Sequence, residues 1–314
     1  MIMINISYTQ SSQLEESLRK INALHQNILL TVLTPKNELR LAWQATIERV
    51  FWSLSLSDNP LARTEIAEVL KKAYLNKTVT PLQKNALLYK QAIDHIKHSW
   101  LGTQKPASIK DVIALNQIIS TGKLNIKADA LKNSLAYFEN SNEHPVIQAG
   151  LIHYQIYALS PSSGRNTRFS SLISYLFLYK EGFDCRGLLV LDEYFRRNFT
   201  DYELLLKQAT ETGAQTVWLE FFSRAVQTSL EKALGNITEN KIRTEVLHTH
   251  LDLNERQKDI LSLLENPDAT ITNRQLQKLY KISQITASRD LAKLASVLLI
   301  FSHGKGRSIY YTRV

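Results

Sequence analysis

Apolar residues recur at three- and four-residue intervals along most of the chain, and this is the spacing of amphipathic helices. Residues 12–32 place Leu14, Leu18, Ile21, Leu24, Ile28 and Leu29 on one helical face. The same periodicity predicts helices over 37–56, 64–76, 80–98, 108–121 and 127–139. Thr64 is suited to cap the third, Pro106 and Ser108 mark the way into the fifth, and Gly122 marks its exit. His144-Pro145 opens a long apolar helix through Leu159, with the proline in a first-turn position. A short polar loop, SPSSG, leads into a second apolar helix carrying Phe169, Leu172, Ile173, Leu176 and Phe177, which Gly182 ends. Helices follow over 191–197, 199–212 and 214–235. The polar stretch 236–252 reads as a linker or a connecting helix.

From Leu253 the pattern changes. Asn254 can cap a helix bearing Ile260, Leu261, Leu263 and Leu264, and ATIT (269–272) is short and β-like. Thr272 can cap a second helix and Ser283 a third, QITASRDLAKLA. VLLIFSH, a GKG turn and RSIYYTRV then form a hairpin. Three helices followed by a hairpin, in this order and spacing, resemble a winged helix. In such modules the third helix enters the major groove of DNA. The exposed candidates for DNA contact are Gln284, Ser288, Arg289 and Lys293, and the wing offers Lys305 and Arg307 to phosphates. Thr286, Ala287, Leu291 and Leu294 are expected to pack inward. The alternative is a protein-interaction or dimerisation module, and Asp290 beside Arg289 argues against strong phosphate binding.

Composition narrows this picture. A chain of 314 residues, 44% hydrophobic, can bury two or three cores. No apolar run reaches the roughly eighteen residues of a membrane span. The start, MIMINISYTQ, lacks the charge and apolar core of a signal peptide. Cys185 is the single cysteine, which excludes a disulfide scaffold and fits a reducing compartment. These features point to a cytoplasmic protein with no membrane partner. The net charge of +9 fits a polyanionic partner, or a solvated surface with a basic bias.

The central stretch AGLIHYQIYALSPSSGRNTR (149–168) carries candidate chemistry. A serine-rich loop feeds a helix whose first turn holds Arg165 and Arg168. Free N–H groups at a helix start favour anions, and two arginines reinforce that. Ordinary capping with surface arginines is the plainer alternative. At these residues the sequence resembles the Fic (Fido) family, whose members carry a helix reading roughly H-x-x-F-x-x-I and then the motif HPFxxGNGRxxR. His153, Ile156 and Leu159 match the helix, while Pro161, Gly164, Arg165 and Arg168 match the ends of the motif. LLVLDEYFRRNFTDYELLLKQA and GAQTVWLEFF continue the resemblance downstream. It implies a mainly α fold: a helical Fic-like domain with an N-terminal helical region, then a small α+β winged-helix domain. It also implies AMP transfer from ATP, with Mg²⁺, to a protein hydroxyl. The phosphate-binding candidates it gives are Ser162, Ser163, Gly164, Arg165 and Arg168.

The departures from the motif bear on activity. Ser160 stands where the family has its catalytic histidine, and a serine hydroxyl has no pKa suited to a general base. The loop is three residues shorter, losing the acidic residue that holds Mg²⁺, so no metal site is expected. Ser162 and Ser163 occupy the Gly-Asn portion, which disfavours close backbone approach to phosphates. Only GKLN (122–125) remains where active members have a β-hairpin flap. In the family an inhibitory (S/T)xxxE(G/N) helix pairs its glutamate with the second motif arginine. Its nearest equivalent is SLSLSDN (53–59), with Ser57 at the glutamate position. His153 is expected to be a core histidine rather than a substitute base.

The leading expectation is therefore a transfer-inactive Fic-like protein that works as a DNA-associated regulator or adaptor. An adenylyltransferase with a non-standard site and a nucleotide-binding sensor without transfer are the alternatives. The partners expected are DNA, a protein of unread identity and, if a palindrome is read, a second copy of the chain. The sequence divides into an N-terminal helical region (1–100), a Fic-like core (101–236), a connecting segment (237–252) and the winged helix (253–314).

Overall fold

The computed structural model describes residues 6–57, 61–71, 79–103, 105–119, 128–159, 164–250, 253–264, 269–296, 299–304 and 306–313. The side chains of 128–130, 140, 164–166, 240–250 and 307 lie outside this description. Among the described residues the helices are α1 (Ser12–Leu30), α2 (Pro35–Ser55), α3 (Arg63–Lys71), α4 (Pro81–Trp100), α5 (Ile109–Ile119), α6 (Ala128–Asn140), α7 (Pro145–Ala158), α8 (Gly164–Lys180), α9 (Asp192–Arg197), α10 (Phe199–Thr212), α11 (Thr216–His250), α12 (Glu255–Leu263), α13 (Asn273–Tyr280) and α14 (Gln284–Ser296). Strands β1 (Ile300–His303) and β2 (Tyr310–Arg313) form one antiparallel hairpin. The fold is mainly helical, as the periodicity predicts. No described helix is long and apolar enough to cross a membrane.

Local chemistry starts these helices. Ser11 accepts from Leu14 N–H, Thr34 from Asn37 N–H, and Thr80 forms a reciprocal capping box with Gln83. Each such cap satisfies an orphan donor and contributes about 1 kcal/mol. Pro35, Pro81 and Pro145 occupy first-turn positions, where no N–H is needed. Helix α3 begins at Arg63, because Ala62 C=O already accepts from Ile66 N–H, so Thr64 lies inside it rather than capping it. Helix α11 runs on to His250, which makes 236–250 helical.

The chain divides into two compact units, Met1–Ile237 and Thr238–Val314. In the first, α7 is buried on every side from Val146 to Ile156, as suits a central helix. Gly150 lets α11 approach it: an added Cβ would lie 2.8 Å from Leu219 Cδ2 and 3.1 Å from the Phe222 ring. Trp218 Nε1 donates to Gly150 C=O at 2.7 Å in the same contact. Leu14, Ile21 and Ile28 of α1, Leu41 and Val50 of α2, and Tyr89 and Ile96 of α4 belong to the same core as α7 and α8.

In the second unit, Ile260, Leu264, Ile271, Leu276, Ala287, Leu291, Leu294 and Ile300 form a separate core. Capping boxes at Asn254–Gln257 and Thr272–Gln275 open α12 and α13, and Ser283 Oγ accepts from Thr286 N–H at the start of α14. Ile271 pairs with Tyr311 and extends the hairpin by one bridge. Gly304 has φ +86°, and a Cβ there would lie 2.5 Å from Ser308 C=O, so the turn requires glycine.

Candidate functional site

Two regions hold the residues that the sequence singles out: the start of α8 and the surface of α14. Ser160, Ser162 and Ser163 lie outside the described residues, as do the possible flap 122–125 and Asp58 of SLSLSDN. Helix α8 begins at Gly164, which puts Arg165 in its first turn, with its side chain outside the description.

Arg168 differs from the picture of two arginines facing an anion. Its side chain is buried in the core of the first unit, where Nε donates to Ser53 Oγ of α2 at 3.3 Å. The guanidinium also lies over the Tyr89 ring, 5.5 Å from its centroid. Burial lowers its pKa, and the fields of Tyr89 and Asp192 oppose that shift. Ser53 is the first residue of SLSLSDN, so the end of α2 does meet the second motif arginine. It does so through a serine hydroxyl, with no carboxylate in ion-pair range of Arg168 among the described residues.

A buried polar layer surrounds this contact. Asp192, at the start of α9, accepts from Tyr89 Oη at 3.1 Å and from Ser171 Oγ of α8. Burial raises the Asp192 pKa to about 6, against the hydroxyl bonds and the nearby charges of Arg49 and Arg168. Arg49 of α2 is buried as well, donating through Nε and Nη2 to Leu189 C=O and through Nη2 to Gly187 C=O. Those carbonyls sit on an unusual turn in which Cys185, Arg186 and Gly187 all take left-handed φ, at 51°, 60° and 72°. A non-glycine residue in this region costs about 1–2 kcal/mol. The Arg49 donors and the Asp184 carboxylate, which accepts from Gly187 N–H at 3.0 Å, hold the turn in place.

His153 is fully buried between Phe195, Trp218 and Phe222. Ser174 donates its one hydroxyl proton to Ser170 C=O, so it accepts from His153 Nδ1–H at 2.9 Å. Nε2 therefore accepts from Tyr202 O–H at 2.7 Å. Burial lowers the His153 pKa to about 3, which keeps the ring neutral. With its one acceptor nitrogen engaged and no route to solvent, this imidazole cannot take a proton from a substrate.

On α14, Gln284, Ser288, Arg289 and Lys293 are all exposed, and Ser288 Oγ accepts from Asn273 Nδ2 at 2.8 Å. Ala287, Leu291 and Leu294 are buried. Asp290 is turned inward with them: it accepts from Arg256 Nε at 2.6 Å and from Gln257 Nε2 at 2.7 Å. Burial would raise its pKa, but the bonds from Arg256 and Gln257 outweigh this and hold it below the usual carboxylate range. The exposed face of α14 thus carries cations and no acid. Helix α13 adds exposed Arg274 and Lys278, and Lys281 follows it, three cations that the motif-centred reading passes over. From Ala269 to Val314 there are eight Lys or Arg residues and one acid, the buried Asp290, so much of the net charge of the chain gathers here. Lys305 and the Arg307 side chain lie outside the described residues.

No protein-family model matches this sequence, and no curated protein does. Solved structures do match. A Fic family protein from Desulfovibrio desulfuricans G20 superposes with a TM-score of 0.65 at 15% identity, over 99% of this chain and 98% of that one. The chain has a Fic-like fold. A Fic domain containing signaling protein from Bacteroides thetaiotaomicron VPI-5482 matches with a TM-score of 0.54, also at 15% identity, over 73% of this chain and 97% of that one. The likeness to the first protein runs through the C-terminal unit as well as the helical core, since it leaves almost none of either chain unmatched.

Proposed function

We propose that this chain is a Fic-fold protein without nucleotide transfer, and that it works as a DNA-associated regulator or adaptor through its C-terminal unit. The observation that carries this reading is the inward turn of Asp290, which leaves α14 with an exposed face of Gln284, Ser288, Arg289 and Lys293 and no acid to repel phosphates. The order α12, α13, α14 and hairpin, with Ile271 paired to Tyr311, supports a winged helix. In that arrangement α14 enters the major groove, and Lys305 and Arg307 of the wing reach flanking phosphates. Ile285, 65% exposed on the same face, is placed to meet apolar groups such as thymine methyls.

Loss of transfer rests on three features. Ser160 offers no general base, the shortened loop lacks the metal-holding acid, and the retained histidine of the preceding helix is neutral and sealed from solvent. A missing base removes about 10²–10⁴-fold of rate. Arg168 supports the same reading, since its guanidinium is engaged with Ser53 and Tyr89. Incubation with labelled ATP, Mg²⁺ and cell extract is expected to label no protein. Labelling that Arg165→Ala abolishes would refute the inactive reading. Duplex binding that weakens as salt rises is expected for the C-terminal unit, whereas a salt-insensitive apolar association would favour a protein-interaction module.

A further inference from the structure

On the first unit, exposed cations such as Lys20, Arg63, Lys105 and Arg197 pair with carboxylates. Helix α13 differs. It carries no acid, and the side chains of Arg274, Lys278 and Lys281 have no hydrogen bond or ion pair among the described residues. Arg274 and Lys278 lie one turn apart, each about 160° around the helix from buried Leu276, so both point away from the core. Lys281 closes the helix with φ 51°, a conformation that glycine or asparagine adopts more readily. Strain of this kind gathers at functional positions, and here it keeps a third cation beside the entry to α14.

This row is continuous with the exposed face of α14. Asn273, at the start of α13, donates through Nδ2 to Gln284 C=O at 3.3 Å and to Ser288 Oγ at 2.8 Å. The carbonyl can only accept, which fixes the orientation of the amide, and Asn273 Oδ1 accepts in turn from Gln277 Nε2 at 2.5 Å. Arg274 thus follows directly on a residue seated against Gln284 and Ser288, and Lys281 stands three residues before Gln284.

We propose that α13 grips the phosphate backbone of duplex DNA beside the groove that α14 enters, with Arg274, Lys278 and Lys281 on neighbouring phosphates of one strand. This grip rests on the DNA-associated reading above and extends it to a second helix. Arg274 to Lys281 covers roughly 10 Å of helix, and one strand presents a phosphate about every 3.4 Å along the duplex axis, so three cations can meet neighbouring phosphates. Such contacts carry no base information: α13 supplies affinity, and α14 supplies selection.

The test is fluorescence anisotropy of the full chain with two labelled duplexes, one A·T-rich and one G·C-rich, across a range of salt concentrations. The variants are Arg274→Ala, Lys278→Ala, Lys281→Asn and all three together, with Arg289→Ala as the α14 reference. Asparagine replaces Lys281 because it accepts the left-handed backbone. Hydrogen exchange in α14 confirms that each variant keeps the unit folded. Each single change is expected to weaken binding to both duplexes by the same factor and to reduce the slope of log affinity against log salt by about one, and the triple change by about three. A triple variant that keeps the wild-type slope, while Arg289→Ala reduces it, would overturn the proposal and leave the DNA-associated reading standing. Weakening confined to one duplex would also overturn it, since phosphates are common to both. Absence of wild-type binding to either duplex at low salt would overturn both.

Discussion

Replacing Asp290 with alanine should destabilise the C-terminal unit and leave the first unit untouched. The Asp290 side chain is 5% exposed and takes two bonds, one from Arg256 Nε and one from Gln257 Nε2. Gln257 is buried, so its stranded amide donor should cost about 1–3 kcal/mol. The Arg256 side chain is 28% exposed and can turn to water, so its share is closer to that of a surface pair, about 1 kcal/mol or less. The expected total is about 1–4 kcal/mol, a large fraction of the stability of a small domain. The assay uses a feature of the sequence: Trp43, Trp52, Trp100 and Trp218 all lie in the first unit. Urea unfolding of the full chain followed by tryptophan fluorescence should therefore match wild type. Hydrogen exchange in α12 and α14 should speed up by the factor that this free energy implies. The folded Asp290 pKa is depressed, so its contribution is present above the unfolded value near 4 and is lost as pH falls through the folded value. Unchanged exchange in α14, or a shifted tryptophan transition, would refute the placement of Asp290.

Asp192 should act in the opposite sense. Its folded pKa is raised to about 6 by burial, so the native state binds more protons than the unfolded state between about pH 4 and 6, and stability should fall as pH rises through that window. Asp192→Asn should flatten this dependence in tryptophan-monitored urea unfolding, and parallel wild-type and variant profiles would contradict it. Arg168→Ala should destabilise the first unit by about 2–4 kcal/mol, because it removes a buried side chain that spans α2, α4 and α8. A variant with wild-type thermal stability would show that Arg168 faces solvent instead. Gly150→Ala should destabilise the α7–α11 contact by about 1–3 kcal/mol through overpacking, since helix propensity alone would favour alanine. A stabilised variant would contradict the close approach of Leu219 and Phe222.

The helices were legible because period, caps and prolines agree at one end of each after another. Thr34, Thr80, Asn254, Thr272 and Ser283 cap through their own side chains, a contact confined to three or four residues. The turn at 185–187 was not legible, because Cys185 and Arg186 have no intrinsic preference for positive φ. What holds them there is Arg49, more than a hundred residues away in sequence. The inward turn of Arg168 was hidden for the same reason: a helix start suggests exposure, and the partners Ser53 and Tyr89 come from distant helices. Asp290 is the instructive case. It sits three residues after buried Ala287 and four before buried Leu294, so the helical period already assigned it to the inner face. Its neighbour Arg289, about 100° away on the helix, does not share that face.

The central claim concerns the exposed face of α14, and salt-dependent duplex binding tests it most directly. Binding of the full chain to duplex DNA is measured across a range of salt concentrations, alongside Arg289→Ala and Lys293→Ala. The account predicts that log affinity falls linearly with log salt, and that each variant binds more weakly with a slope reduced by about one. Absence of binding at low salt, or binding that neither salt nor these substitutions alter, would contradict it.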